Sequence, residues 1–259
     1  LVQDLNMLYK VRNMYHSSTD CLEIPLSYLF LKSSEEEFPY INERTVKYTE
    51  KGILVELVSE EGKDVHYTLD GSEPTQASPR YTAPLLLSES SILKACYYKD
   101  GKRSQIYDRK VNFSKGVKAK AKPGIAYRYY EGKFSTPADI DKKGELKKTG
   151  EVEKISTNTM GQPDYYGFIY DGLIYAPESG LYVMNLVAND AASMSIAGNL
   201  VVEIPDGDTN AFGKVYLHKG YHPVSVRYYE GYGSELLTLK WTLPSGRTEE
   251  IPAANFFIK

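Results

Sequence analysis

Short apolar segments of period two, separated by turn residues, constrain the fold of this chain more than any other feature. Residues 180–188, 224–228 and 236–241 alternate apolar side chains with others, and Gly, Pro, Asn and Asp cluster between such segments. Alternation places successive side chains on opposite faces of a strand. The 23 tyrosines favour strands as well. We find no helical pattern longer than two turns, and the sequence therefore predicts an all-β protein.

The same patterns divide the chain into four segments. Residues 1–37 begin with a short helical pattern and are too few for a core of their own, so we interpret them as a helical N-terminal arm or the tail of a preceding unit. Residues 38–114, with six or seven short strands, predict a small Ig-like β-sandwich. The lysine-rich residues 115–123 are interpreted as a linker. Residues 124–259 predict a larger antiparallel β-barrel or sandwich.

Two local predictions follow from turn residues and polarity. Asp100-Gly101 between two apolar strands is typical of a tight hairpin. The polar, Lys/Glu-rich residues 133–154 are interpreted as a long surface loop.

The two cysteines, Cys21 and Cys96, do not form a disulfide framework, and two free thiols are favoured over a single bridge.

Charge and hydropathy exclude some classes of function. The formal net charge of -3 gives no overall field that favours nucleic acid. No uninterrupted apolar run approaches the roughly 20 residues of a membrane-spanning helix. The chain starts without the features of a signal peptide, so we expect either that a leader was removed or that this is a piece of a longer protein.

The segment Y-T-L-D-G-S-E-P-T at residues 67–75 describes a strand that runs into a tight turn. Asp70 bonds its own backbone, Gly71 permits positive φ and Pro74 fixes the exit. With the S-x-x-Y, P-L and I-x-K-A pieces that follow, residues 38–113 resemble the C-terminal module of chitobiases and β-hexosaminidases, also called fibronectin type III-associated. The resemblance implies an Ig-like sandwich in which this motif is structural.

Four pieces of the C-terminal segment match another family in order: G-I-A-Y-R-Y-Y-E-G, G-L-I-Y-A-P-E-S-G-L-Y, L-H-K-G-Y-H-P-V-S-V-R-Y-Y-E and L-T-L-K-W-T-L-P, at residues 124–132, 172–182, 217–230 and 237–244. Residues 124–257 thereby resemble the sugar-binding β-barrel domain of anthrax protective antigen, which glycosidases and flocculin-type adhesins share. The resemblance implies glycan binding.

Members of that family that hold a sugar through calcium carry D-D-G-S-x-L-x-I-D-G, whereas residues 189–198 read N-D-A-A-S-M-S-I-A-G. The resemblance makes Asn189 and Asp190 candidates for binding glycan and metal. The lost carboxylate weakens a calcium site, although an Asn carbonyl can still ligate. The oxygen-rich turn with Asp206 and Asp208 is a candidate to assist. The alternative is that the 189–198 loop keeps only its role in the fold.

The sequence has four histidines but no H-E-x-x-H motif, and it contains neither G-x-S-x-G nor a phosphate-binding loop. His222 is interpreted as a structural hydrogen-bonding residue. Glycoside hydrolysis needs two facing carboxylates, and no pattern marks Glu203, Glu230 or Glu235 as buried. We therefore expect that this chain alone is not an enzyme, with catalysis by carboxylates of the barrel loops as the rival.

Tyrosines provide the remaining candidate chemistry. The doublets at 129–130, 165–166 and 228–229 each predict one ring inward and one outward on a strand. Tyr232 lies in a glycine-rich segment. Tyr232 and Tyr165 are the candidates for stacking on a sugar, because a tyrosine ring offers an apolar face with a polar hydroxyl. The alternative is that these rings pack the barrel.

Together the two resemblances imply a non-catalytic carbohydrate-binding and targeting region of a secreted, periplasmic or cell-surface protein, of bacterial origin. The resemblances imply an accessory role beside a glycoside hydrolase domain of hexosaminidase type. The expected partner is a glycan that contains N-acetylhexosamine. The alternative is a structural or protein-docking module of a cell-envelope complex.

Overall fold

The computed structural model describes residues 38–59, 63–157, 164–205 and 209–259. The predicted fold class is confirmed, because 57% of the residues lie in strands and 6% are helical. The predicted helical arm in residues 1–37 lies outside the described residues. Among the residues that are described, none of the helices is long and apolar enough to cross a membrane.

The first sandwich, here called the small sandwich, consists in its described part of β1 (Tyr40–Ile41), β2 (Lys47–Thr49), β3 (Gly52–Val55), β4 (Leu57–Val58), β5 (Asp64–Thr68), β6 (Leu85–Leu87), β7 (Ser91–Lys99), β8 (Lys102–Arg103) and β9 (Tyr107–Val111). One sheet has the order β2-β3-β6, and the other has β5-β7-β8 with β9 on the second edge of β7. Strands β1 and β4 pair separately. Asp100 and Gly101, both with positive φ, make the predicted hairpin between β7 and β8.

The second sandwich, the large sandwich, consists of β11 (Lys122–Pro123), β12 (Ile125–Glu131), β13 (Glu145–Val152), β14 (Tyr166–Ala176), β15 (Gly180–Ala188), β16 (Ala192–Ile196), β17 (Asn199–Ile204), β18 (Asn210–Leu217), β19 (Gly220–Glu230), β20 (Leu237–Thr242), β21 (Thr248–Glu250) and β22 (Phe256–Ile258). The helical elements within the described residues are α1 (Ile140–Lys143) and three 3-10 turns, at Glu43–Thr45, Pro137–Asp139 and Ala253–Asn255. A two-residue strand, β10 (Phe113–Ser114), lies between the sandwiches in the chain.

Two sheets enclose the core of the large sandwich. One has the order β10-β18-β15-β20-β21, and the other has β11-β22-β14-β19-β16-β17, with β12 and β13 beyond β14. Inward side chains alternate along β15, from Tyr182 through Met184 and Leu186 to Ala188, all fully buried. The core also contains Trp241, the one tryptophan of the chain. Period two therefore determines which face of these strands packs inward.

Strand β19 carries the same alternation through to its last residue. His222, Val224, Val226, Tyr228 and Glu230 are its buried positions. The sequence analysis left Glu230 without a burial assignment, and the structure buries it completely. A carboxylate thus continues a row of inward side chains at one end of the core.

One prediction for the outer face is wrong. Residues 133–154 are not a long loop, because they contain α1 and the eight-residue strand β13. Among the described strands, β13 pairs only with β12, and it is mostly exposed. Its lysines and glutamates suit an unpaired edge.

The Tyr129-Tyr130 doublet has the predicted alternation. Tyr129 packs in the core of the large sandwich, whereas Tyr130 lies on the outer face. Tyr130 is nevertheless buried, because it packs in an outer cluster that includes Ile140 of α1.

The two sandwiches are joined by hydrogen bonds and by a buried tyrosine. Strand β10 pairs in parallel with β18, so that Phe113 lies opposite Tyr216. The Tyr216 side chain belongs to the large sandwich but is buried among the core residues of the small one. His222 is fully buried, with Nδ1 2.7 Å from Ser114 Oγ and Nε2 2.7 Å from the His218 carbonyl oxygen. The structural role predicted for His222 is confirmed.

Candidate functional site

The four candidate residues that the structure describes meet at one end of the large sandwich. Asn189 and Asp190 directly follow β15, Tyr165 directly precedes β14, and Tyr232 lies just after β19. The antiparallel pairing of β14 with β19 brings the start of one strand beside the end of the other. Backbone hydrogen bonds tie these connections together, from Tyr165 N to the Gly231 carbonyl (3.3 Å) and from Asn189 N to the Leu236 carbonyl (3.3 Å).

The Asn189 side chain is the centre of this end. Its Nδ2 donates to Asp190 Oδ2 at 3.1 Å and to Glu230 Oε2 at 3.1 Å. Its Oδ1 accepts from the backbone N–H of Leu236 at 2.8 Å. One amide thereby joins two carboxylates to the connection that follows β19, in which Tyr232 lies.

Asp190 fixes the start of the same connection. Its Oδ2 accepts from the backbone N–H of Gly231 at 3.0 Å. Two residues further on, the N–H of Gly233 donates to Asp164 Oδ1 at 3.2 Å. The connection that carries Tyr232 is thus hydrogen-bonded on both sides of the tyrosine.

Sequence reasoning considered Glu230 only as a carboxylate for catalysis and did not place it in this site. Burial raises the pKa of its carboxyl group, and the nearby Asp190 raises it further. The Tyr228 hydroxyl bonds to Glu230 Oε2 and lies 2.9 Å from Asn189 Oδ1, and burial raises the pKa of that tyrosine. The signal that identifies Glu230 is its position in the period-two row of β19, which ends on it.

The polar groups at this end satisfy one another. Both the carbonyl and the amino group of Asn189 are engaged, and Asp190 Oδ2 accepts two hydrogen bonds. Calcium takes six to eight oxygen ligands, and in this arrangement the described residues do not form such a sphere. The described residues also contain no group of three or more His, Cys, Asp or Glu side chains placed to hold a metal. Asp206 and Asp208 lie outside the described residues, so their contribution to a metal site stays a prediction.

Two tyrosine side chains beside this cluster are exposed to solvent. The Tyr232 side chain is 79% exposed, and that of Tyr165 is 37% exposed. Tyr165 has a φ of 59°, a left-handed conformation that is uncommon for residues other than glycine. Its ring lies 4.4 Å from Lys133 Nζ, which is a cation–π distance. The neighbouring Tyr166 is buried, so the predicted alternation of this doublet is confirmed.

Each sandwich matches the model of a known domain family. A model described as Fn3 associated matches residues 55–111, in the small sandwich. A model described as the PA14 domain matches residues 121–255, slightly more than half of the 259 residues. The chain belongs to the PA14 domain family. Of the two resemblances seen in the sequence, an Fn3-associated domain and a PA14 domain are confirmed. No curated protein matches the chain significantly.

Several solved structures are similar to parts of this chain. An anti-sigma factor domain-containing protein is 17% identical over 76% of this chain and 77% of its own, with a TM-score of 0.47. The A domain of Epithelial Adhesin 9 from Candida glabrata, in complex with Galβ1-3GlcNAc, is 12% identical over 57% and 96%, with a TM-score of 0.45. A PA14 sugar-binding domain from an RTX adhesin is 16% identical over 53% and 99%, with a TM-score of 0.42.

Proposed function

We propose that this chain is a non-catalytic carbohydrate-binding region, and that its glycan contacts are made at the Asn189 end of the large sandwich. The observation that carries the proposal is the exposed pair of rings, Tyr232 and Tyr165, on connections anchored by buried hydrogen bonds. Membership of the PA14 family supports it, since the sequence resembles the sugar-binding members.

The chemistry of this surface suits a sugar. A pyranose presents apolar C–H faces and polar edges, and an exposed tyrosine offers a flat apolar face with a hydroxyl at its rim. The Lys133 ammonium group beside Tyr165 adds donors for sugar oxygens. Fixed loops reduce the ordering cost of binding, because less conformational freedom is lost when the ligand arrives.

We place the glycan contact on the rings rather than on a metal ion. In calcium-using relatives two adjacent carboxylates hold the ion, whereas here the Asn189 amide already bridges Asp190 and Glu230. Hydrogen bonds from this amide satisfy the carboxylates that a cation would otherwise neutralise. Binding is therefore expected to persist without calcium.

The proposal also includes the domain boundaries, the parent protein and the type of glycan. We assign residues 38–114 to the small sandwich, residues 124–259 to the large one and residues 115–123 to the linker, whose last two residues pair with the large sandwich as β11. The region acts as an accessory to a glycoside hydrolase domain of hexosaminidase type in a secreted or surface protein of bacterial origin. A glycan with N-acetylhexosamine is the expected ligand, because the small sandwich resembles modules of enzymes that act on such sugars.

A glycan array tests the proposal, with the chain applied once in calcium and once in a chelator. The expected result is a defined set of bound glycans that is the same in both conditions. Hits that require calcium would assign the site to Asn189, Asp190, Asp206 and Asp208 instead. A blank array in both conditions would contradict glycan binding and favour the protein-docking alternative.

The array also needs an internal control for non-specific stacking by exposed rings. Phe212 provides it, because this aromatic side chain is exposed on β18 and belongs to none of the connections that form the candidate site. The Phe212→Ala variant is expected to give the wild-type array pattern. A loss of hits in this variant would place the contact on another face of the sandwich.

A further inference from the structure

The small sandwich contains a groove that the proposed function does not use. The groove has a volume of about 780 Å³ and lies between the end of β5 and the connection from β6 to β7. This volume falls within the roughly 300–1,000 Å³ of small-molecule sites. Residues 67–70 of the Y-T-L-D-G-S-E-P-T motif form part of one wall. The motif therefore contributes to a surface as well as to a turn.

The apolar part of the groove comes from an edge strand. Leu85 and Leu87 of β6 point into the core, so Leu86 between them points outward and is 46% exposed in the groove lining. Among the described residues β6 pairs only with β3, which leaves its other edge open. Pro79 is an exposed apolar residue of the same lining. The groove thus offers exposed apolar faces that the sandwich core does not use.

The polar part of the groove divides into engaged and available groups. Asp70 accepts two hydrogen bonds from Ser72, and Thr68 donates to the Ser72 carbonyl, so these two side chains stabilise the turn. Within the described part of the chain, the Tyr67 hydroxyl, the Ser88 hydroxyl and the Glu89 carboxylate have no protein partner. All three line the groove.

Charge narrows the class of ligand. Asp70 and Glu89 are the charged residues in the lining, and both are acidic. An anionic ligand would be repelled there, because the lining supplies no opposite charge. A purely apolar ligand would leave the available hydroxyls and the carboxylate desolvated without partners, which is costly.

We propose that this groove is a second binding site, for a neutral oligosaccharide. Leu86 and Pro79 would contact the C–H faces of a sugar, while Tyr67, Ser88 and Glu89 would bond its hydroxyl groups. A carboxylate acceptor for sugar hydroxyls gives stronger hydrogen bonds than a neutral acceptor. The site is independent of the Tyr232 end, since it uses other residues in another sandwich.

The test is an NMR titration of the full chain in which Tyr232→Ala weakens the other proposed site. Chitotriose, maltotriose and lactose serve as probes, each to about 10 mM, a range that detects weak affinities. The expected result is a set of saturable amide shifts at residues 67–72 and 86–91 of the groove lining. Ser88→Trp fills the groove and should weaken binding about tenfold or more. Ser245→Trp, at an exposed turn of the large sandwich, should have no effect.

Each other outcome overturns the site. Shifts that leave residues 86–91 unchanged for all three probes would contradict a neutral-sugar groove, whatever the Tyr232 end binds. Shifts in this region that survive Ser88→Trp would show that the groove is not where the probe lies. Glu89→Gln, an exposed and conservative change, tests the proposed carboxylate contact without introducing a bulky ring. An unchanged affinity in Glu89→Gln together with folded, fully binding Ser88→Trp would end the proposal.

Discussion

The amide nitrogen of Asn189 lies 3.1 Å from the carboxylate oxygen Oε2 of the buried Glu230. The two residues are 41 positions apart in the chain and meet because β15 and β19 end at the same side of the large sandwich. A buried carboxylate is costly unless donors satisfy it. Asn189 supplies such a donor, and its carbonyl fixes the connection that bears Tyr232.

Asn189→Asp is expected to turn this hydrogen-bonded end into a cation-dependent one. The change removes an amide donor and places a third carboxylate beside Asp190 and Glu230, which should cost about 1–3 kcal/mol without calcium. Calcium should then raise the melting temperature of the variant but not that of the wild type. Thermal unfolding with calcium and with a chelator measures both.

Asn185→Asp is the matched control for that experiment. Asn185 also lies on β15 and donates its Nδ2 to the Ala211 carbonyl, with no carboxylate among its hydrogen-bond partners. Its aspartate variant should not respond to calcium. A wild-type chain stabilised by calcium to the same degree as Asn189→Asp would contradict this description of the site.

His222 should make stability depend on pH. Its burial lowers the pKa of the imidazole below the ordinary value of 6.5. As the pH falls through that value, the unfolded chain takes up a proton that the folded chain does not. Its contribution to stability is therefore complete above about pH 6.5 and is lost progressively below it, until the pH reaches the lowered pKa.

Urea unfolding at about pH 7.5 and about pH 5.5 tests this linkage. The wild type should lose more stability on acidification than His222→Gln, which cannot take up the proton. The variant should be less stable than the wild type at the higher pH, because the ring nitrogens bond Ser114 and the His218 carbonyl. An equal acid-induced loss in both proteins would assign the linkage to other groups.

Tyr216→Ala is expected to uncouple the two sandwiches. The ring is 6% exposed and packs in the core of the small sandwich although its strand belongs to the large one. Removing a buried aromatic ring of this size costs about 3–5 kcal/mol. Scanning calorimetry should show one transition for the wild type and two for the variant.

Phe212→Ala controls for the loss of an aromatic ring from the same strand. Phe212 is exposed on β18, so its removal should leave a single transition near the wild-type temperature. Separate transitions already present in the wild type would show that Tyr216 does not couple the sandwiches.

Much of the fold follows from the sequence because period two and turn chemistry act locally. The alternation in β15 and the Asp100-Gly101 hairpin are visible in single segments. Strand β13 was not visible, because its exposed edge position leaves it without a row of apolar residues. The burial of Tyr130 was not predicted, because it depends on the packing of α1 over β12, which involves residues that are not adjacent in the chain.

The site divides in the same way. The family motif identified Asn189 and Asp190 as candidate site residues, and the glycine-rich surroundings of Tyr232 indicated that its ring is exposed. The role of Asn189 as a bridge between carboxylates depends on Glu230, whose burial is a property of the assembled sheet. Continuing the β19 alternation to its last residue would have predicted that burial.

Calorimetric titration of the strongest array ligand into wild type and Tyr232→Ala, both in chelator, measures how much Tyr232 contributes to glycan binding. Because the ring is 79% exposed, its removal should leave the melting temperature nearly unchanged. We expect the affinity to fall about tenfold or more, equivalent to about 1.4 kcal/mol or more. An unchanged affinity, or a loss that matches an equal loss of stability, would contradict glycan binding by the tyrosines at the Asn189 end.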